Sequence, residues 1–151
     1  MTPASPPAAD SYDHLGVDSP RTDSSGTVRL HVPASHAHLT IVRSTVAASV
    51  ARQGVTVDDV DDLRLAAHEA CALLIEDAVA HALISLALLV KGNTVRMRCT
   101  TPTRRTDPLP DDTLSWTVLS ALVTSASNRI DIESSYSLLR IDIQHSVQIP
   151  D

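Results

Sequence analysis

Glu69 stands four residues before Leu73 in the stretch Asp61-Asp62-Leu63-Arg64-Leu65-Ala66-Ala67-His68-Glu69-Ala70-Cys71-Ala72-Leu73-Leu74-Ile75-Glu76-Asp77. Residues four apart share one side of a helix, so an acid at 69 with an amide at 73 would begin a metal and nucleotide site. Leucine at 73 leaves the acid without that partner. The other chemistry-bearing residues give weaker signals. His36 and His38 have a spacing that binds metal on a strand, but they fall in the first turn of an expected helix, where residues two apart diverge; they read as surface histidines. The seven histidines, at 14, 31, 36, 38, 68, 81 and 145, form no cluster in sequence that would suggest a pH sensor. Cys71 and Cys99 stand singly among apolar neighbours and read as small buried hydrophobes, with no thiol chemistry assigned. Arg104 and Arg105, with Arg96 and Arg98, would hold an anion by direct charge; the preferred reading is a solvated loop beside the polar face of a strand.

The elements that must position these residues follow from periodicity. Residues 1–26 hold four of the nine prolines and almost no apolar pattern, and read as a disordered tail before a single domain over 27–151. Four segments alternate strictly: Val28, Leu30 and Val32; Val95, Met97 and Cys99; Ile130 and Ile132; Leu139, Ile141 and Ile143. A sheet whose strands all show water one polar face is covered on the other face only, which selects a two-layer α+β sandwich.

Three helices supply the second layer. Ser35 caps the first, whose stripe is Leu39, Val42, Val46 and Val50, and Gly54 closes it. The second starts at Asp58 or Asp59 and buries Val60, Leu63, Ala67, Ala70, Cys71, Leu74 and Ala78. Taking about 100° per residue, Glu69 lies roughly 150° and position 73 roughly 110° from the centre of that stripe. The runs 83–90 and 94–100 form a hairpin about Lys91-Gly92-Asn93, a polar loop spans Thr101 to Asp112, and the third helix is expected over Thr113 to Ala126. The order is β, α, α, β, β, loop, α, β, β.

Composition removes several function classes. With 151 residues the chain suits one domain, and the longest apolar run, Ala82 to Val90, is far short of a membrane span. A formal net charge of −6 and only 12 basic residues argue against a nucleic-acid surface. Without a basic start and apolar block at the N-terminus, the expected location is the cytoplasm.

The order of elements and the sequence Asp61-Asp62-Leu63-Arg64-Leu65-Ala66-Ala67-His68-Glu69-Ala70-Cys71 resemble the RsbW-type anti-sigma factors, small serine kinases of the GHKL (Bergerat-fold) ATPase superfamily, over Thr27 to about Gln144. The resemblance implies a two-layer sandwich with a mixed, mainly antiparallel sheet and helices on one face. It also implies Glu69 as catalytic base, if a kinase survives, and Leu73 at the place of the asparagine that binds magnesium in E-x-x-x-N. Leucine offers no oxygen to a hard cation, so no metal ligand is assigned. The adenine-reading D-x-G-x-G motif falls on Thr101-Pro102-Thr103-Arg104-Arg105, which keeps only the trailing Asp107-Pro108, and the phosphate-side G-x-G-L falls on Thr113-Leu114-Ser115-Trp116. No glycine follows Gly92, so a backbone cradle for phosphate is missing; Leu73, Thr101, Thr103, Arg105 and Asp107 read as vestigial cofactor positions.

The function the resemblance implies is sequestration of an alternative, stress- or sporulation-type sigma factor by a homodimer. A STAS-domain anti-anti-sigma protein relieves it, and ATP and kinase function are lost. Arg43 matches an arginine used for partner contact. The alternative is an active ATP- and Mg-dependent serine/threonine kinase acting on the STAS antagonist.

Overall fold

A computed structural model describes residues 26–150. The tail expected over 1–26 lies outside them apart from Gly26. The chain runs β1 (Val28–Pro33), a 3-10 turn (His36–His38), α1 (Leu39–Ala51), α2 (Val57–Asp77), β2 (Leu83–Lys91), β3 (Thr94–Thr103), α3 (Leu114–Leu122), β4 (Ser125–Ile132) and β5 (Ser137–Ser146). The five strands form one sheet in the order β1-β2-β3-β5-β4, and every pairing in it is antiparallel. The expected order and two-layer arrangement hold, with all three helices packed against one face.

Alternation decides which side chains meet the helices. Opposed residues of an antiparallel pair share a face, so the register places Leu30, Leu86, Cys99 and Ile141 in one row beneath the helices. Val42, Val46 and Val50 of α1 and Leu63, Ala67, Cys71 and Leu74 of α2 close over that face, all fully buried. Ala66, Ala67 and Ala70 lack bulk, which lets α2 lie close against its neighbours. Ser35 caps the 3-10 turn, and Thr56, two or three residues before the start that the sequence suggests, caps α2 by accepting from the Asp59 amide.

Several boundaries differ from expectation. Gly92 and Asn93 alone turn the hairpin, because Lys91 pairs with Thr94, and Gly92 takes the φ of +58° that its first turn position requires. β3 continues through Thr103, so Thr101 and Thr103 belong to a strand and are buried, not in a polar loop. α3 stops at Leu122 because Ser125 and Ala126 already pair with β5. Ile132 is 83% exposed at the end of the edge strand β4, although its alternation suggested burial. Ala78 lies past the end of α2, in a bridge to Thr103.

Candidate functional site

Glu69 and Leu73 sit in the C-terminal half of α2. Glu69 is half-buried and makes no hydrogen bond or ion pair with the described residues. Leu73 packs against the hydrophobic core and gives the flank beside Glu69 a hydrocarbon surface in place of an oxygen ligand. Arg43 of α1 is held by α2: one guanidinium nitrogen donates to His68 Nδ1 at 3.3 Å and another to the Thr40 hydroxyl at 3.2 Å. It is therefore a fixed, half-buried cation beside the residue that precedes Glu69.

The strand end that faces this region has used its polar atoms. The Thr101 hydroxyl donates to the carbonyl of Leu83 at 3.0 Å, and the Thr103 hydroxyl donates to the carbonyl of Asp77 at 2.7 Å. Thr103 also accepts from the Arg105 amide. Arg105 folds back over the end of α2, with its guanidinium donating to the carbonyls of Asp107 and Pro108 and lying 3.5 Å from the Asp77 carboxylate. The other end of the same loop is fastened by Asn128 of β4, whose side chain accepts from the Leu109 amide at 2.7 Å and donates back to its carbonyl. Thr113 caps α3 by accepting from the Trp116 amide, and Trp116 is buried.

These contacts decide the fit of a magnesium nucleotide. By the resemblance, it would need a ligand at 73, a free acceptor for the adenine amino group at 101 and bare backbone at 103 and 105. Leu73 lies against the core, Thr101 is buried with its hydroxyl committed to a carbonyl, and Thr103 and Arg105 are joined to one another. The residues present do not fit the group. Nor do the arginines converge on an anion: Arg105 engages Asp77 at the end of α2, whereas Arg98 pairs with Asp142 on the helix-free face of the sheet.

Three residues that sequence reasoning passed over do come together. Ligand-type atoms of Asp59, Asp62 and His145 lie within 4.8 Å of one another at the start of α2. Both carboxylate oxygens of Asp59 are engaged, one with His145 Nε2 at 3.1 Å and the other with the Gln148 amide at 2.8 Å and the Thr56 hydroxyl at 3.1 Å. Burial alone would raise the Asp59 pKa, but these hydrogen bonds outweigh it and hold the carboxyl below its ordinary value. The group ties the start of α2 to the end of β5. No local pattern signals it, since 86 residues separate Asp59 from His145. His36 and His38 lie in the 3-10 turn before α1, apart from this cluster.

Cys71 and Cys99 are fully buried, one on each side of the helix–sheet interface. The Cys71 thiol beside Cys99, together with desolvation and the neighbouring charge, pushes the Cys99 thiol pKa well above the usual range, so Cys99 is not poised as a nucleophile.

With the geometry in place, comparison with known proteins is informative. The family model for the histidine kinase-like ATPase domain matches residues 32–116, from the end of β1 into α3. The chain belongs to the histidine kinase-like ATPase family. No curated protein matches it. No helix among the described residues is long and apolar enough to cross a membrane.

Proposed function

We propose that this member of the family acts by binding a protein and not by phosphoryl transfer: an RsbW-like anti-sigma factor that sequesters a sigma factor. One observation carries the loss of the nucleotide step. The hydroxyls of Thr101 and Thr103 donate to the carbonyls of Leu83 and Asp77, inside the fold, at the positions the family uses for adenine. Leu73 supports the same reading from the other side, because a hydrocarbon side chain cannot replace an oxygen ligand of Mg²⁺. Family membership supplies the ancestry, and the resemblance supplies the partner class: a sigma factor held by a homodimer in the cytoplasm, with a STAS-domain protein as competitor.

Arg43 is the partner contact in this proposal. Its guanidinium is held at a fixed place by His68 and Thr40, which lowers the entropy lost when it meets a carboxylate on a partner. Without a kinase step, release depends on the concentration and affinity of the competitor alone.

Calorimetric titration with ATP and Mg²⁺ tests the first half, and co-purification from the native cell tests the second. No heat at millimolar nucleotide, together with recovery of a sigma factor, is the expected result. Micromolar ATP binding that disappears in Glu69→Ala would establish the kinase reading instead. Arg43→Glu is expected to weaken sigma binding by roughly tenfold or more while the protein stays folded; equal recovery with that variant removes Arg43 from the interface.

A further inference from the structure

The helix-free face of the sheet carries a charge opposite to that of the chain as a whole. Register places Arg29, Ala87, Arg98, Asp142 and Ser127 in one row across all five strands. A neighbouring row contains Leu89, Arg96, Gln144 and Ser125. The next row on the other side ends in Arg140 and Arg129, directly opposed on β5 and β4. Asp142 and Asp131 serve this face as shared acceptors, with Asp142 bridging Arg98 and Arg140 at 2.9 and 2.6 Å and Asp131 bridging Arg129 and Arg140. Among the described residues, the rows of this face carry five arginines and Asp142, with Asp131 beside them, on a protein whose formal net charge is −6. Two of the rows line an open depression of about 550 Å³ with an apolar floor at Ala87 and Leu89, flanked by Arg96, Arg98 and Gln144.

Thr27, the residue from which the chain enters β1, lines the same depression. The segment just before it has the matching chemistry. Residues 1–25 carry Asp10, Asp13, Asp18 and Asp23 against the single Arg21, with Tyr12, Leu15 and Val17 between the acids. We propose that this acidic N-terminal segment docks in cis on the basic helix-free face of the sheet, its aspartates meeting the arginine rows and its few apolar side chains meeting Ala87 and Leu89.

Reach and affinity both allow it. Strands lie about 4.8 Å apart, so the arginines of β3 are roughly 10 Å from β1, a span the three residues from Asp23 to Gly26 cover when extended. Asp18 and Asp13 extend far enough to meet Arg140 on β5, roughly 14 Å away, and Arg129 on the opposite edge strand β4, roughly 19 Å away. Individual exposed ion pairs are weak, but a tether at Gly26 supplies an effective concentration of the order of millimolar, so a few of them hold the segment. A segment too polar to build its own core still binds in extended form along a preformed sheet. While docked it covers this face against acidic partners and against a second copy of the chain.

Paramagnetic relaxation in the full-length protein tests the docking. A nitroxide placed by Ser11→Cys reacts only there, because Cys71 and Cys99 are buried. At low ionic strength the amides of Arg96, Ser127 and Gln144 are expected to broaden, while those of Asp61 and Arg52 on the helical side do not. Asp10, Asp13, Asp18 and Asp23 all changed to Asn, or Arg96→Glu with Arg129→Glu, should lower the occupied fraction roughly three- to fivefold, as should high salt. Absence of broadening on the face, or broadening that ignores both charge variants, overturns the proposal. Broadening that appears only between labelled and unlabelled molecules in a mixture would assign the face to a second copy and overturn it as well. None of these outcomes depends on sigma binding, so the proposal and the functional reading fail separately.

Discussion

On the helix-covered face of the sheet the polar groups are few and closed: Thr101 and Thr103 are buried and each donates to a main-chain carbonyl. On the helix-free face Arg98, Arg129 and Arg140 share Asp131 and Asp142 in a half-exposed ladder. The covered side is packed with hydrocarbon and with hydroxyls that already donate to main-chain carbonyls, whereas Arg43 and Glu69 on the helices and the arginine rows on the sheet are only half-buried or exposed.

The comparison breaks first in the core. Leu74→Ala, at a fully buried position of α2, is expected to cost about 2–5 kcal/mol in urea unfolding, because the leucine's contacts with the sheet are lost and a cavity remains. Thr101→Asp puts the family's acid back where threonine now stands. It should cost about 3 kcal/mol or more, since the strand end is dry and Leu83 offers a carbonyl, not a donor, to the new carboxylate. Calorimetry with ATP should show no gain of binding. A stable Thr101→Asp protein that binds nucleotide would show that the covered side is still open.

Asp59 gives a smaller and pH-dependent effect. Its carboxyl is held below the ordinary value of 3.8, so the folded state favours the ionised form. The sign follows: the contribution is fully present above about pH 4 and is lost as pH falls through the lowered folded-state pKa. Asp59→Asn is expected to cost about 1 kcal/mol at neutral pH and to flatten the acid limb of the stability profile; an unchanged limb would mean that the links to Gln148 and His145 add nothing.

Much of the covered face was legible in the sequence because it obeys one rule at a time. Val95, Met97 and Cys99 alternate, Val42, Val46 and Val50 recur at helical spacing, and Gly92 marks its turn. The extension of β3 through Thr103 was not legible, because threonine and proline read as loop residues until a bridge to Ala78 and a carbonyl from Asp77 make burial affordable in hydrogen bonds. Ile132 fails for the opposite reason: alternation places it toward the helices, but nothing covers the end of an edge strand. In the candidate site, the absence of a ligand at Leu73 follows from residue type alone. That the remaining hydroxyls are already partnered, and that Arg43 is held by His68, depends on contacts between distant elements and needed coordinates.

The ladder on the open face offers the finest discrimination. Arg129 is 58% exposed at the side chain and lies 2.7 Å from Asp131, so the geometry is close but the setting is wet. Removing it by Arg129→Met leaves Asp131 with Arg140 at 3.5 Å as a second partner, which limits the loss. The expected cost is about 0.5 kcal/mol or less in thermal unfolding, discounted for solvent screening, and it should fade in about 1 M salt as the Debye length contracts to about 3 Å. Arg140 is the contrasting position, since its side chain is only 13% exposed and it serves both aspartates. Arg140→Met should therefore cost more than Arg129→Met and lose less of its effect to salt. If the two variants proved equal, the ladder would be a row of independent surface charges, and the open face would lack the preorganisation that a shared network gives it.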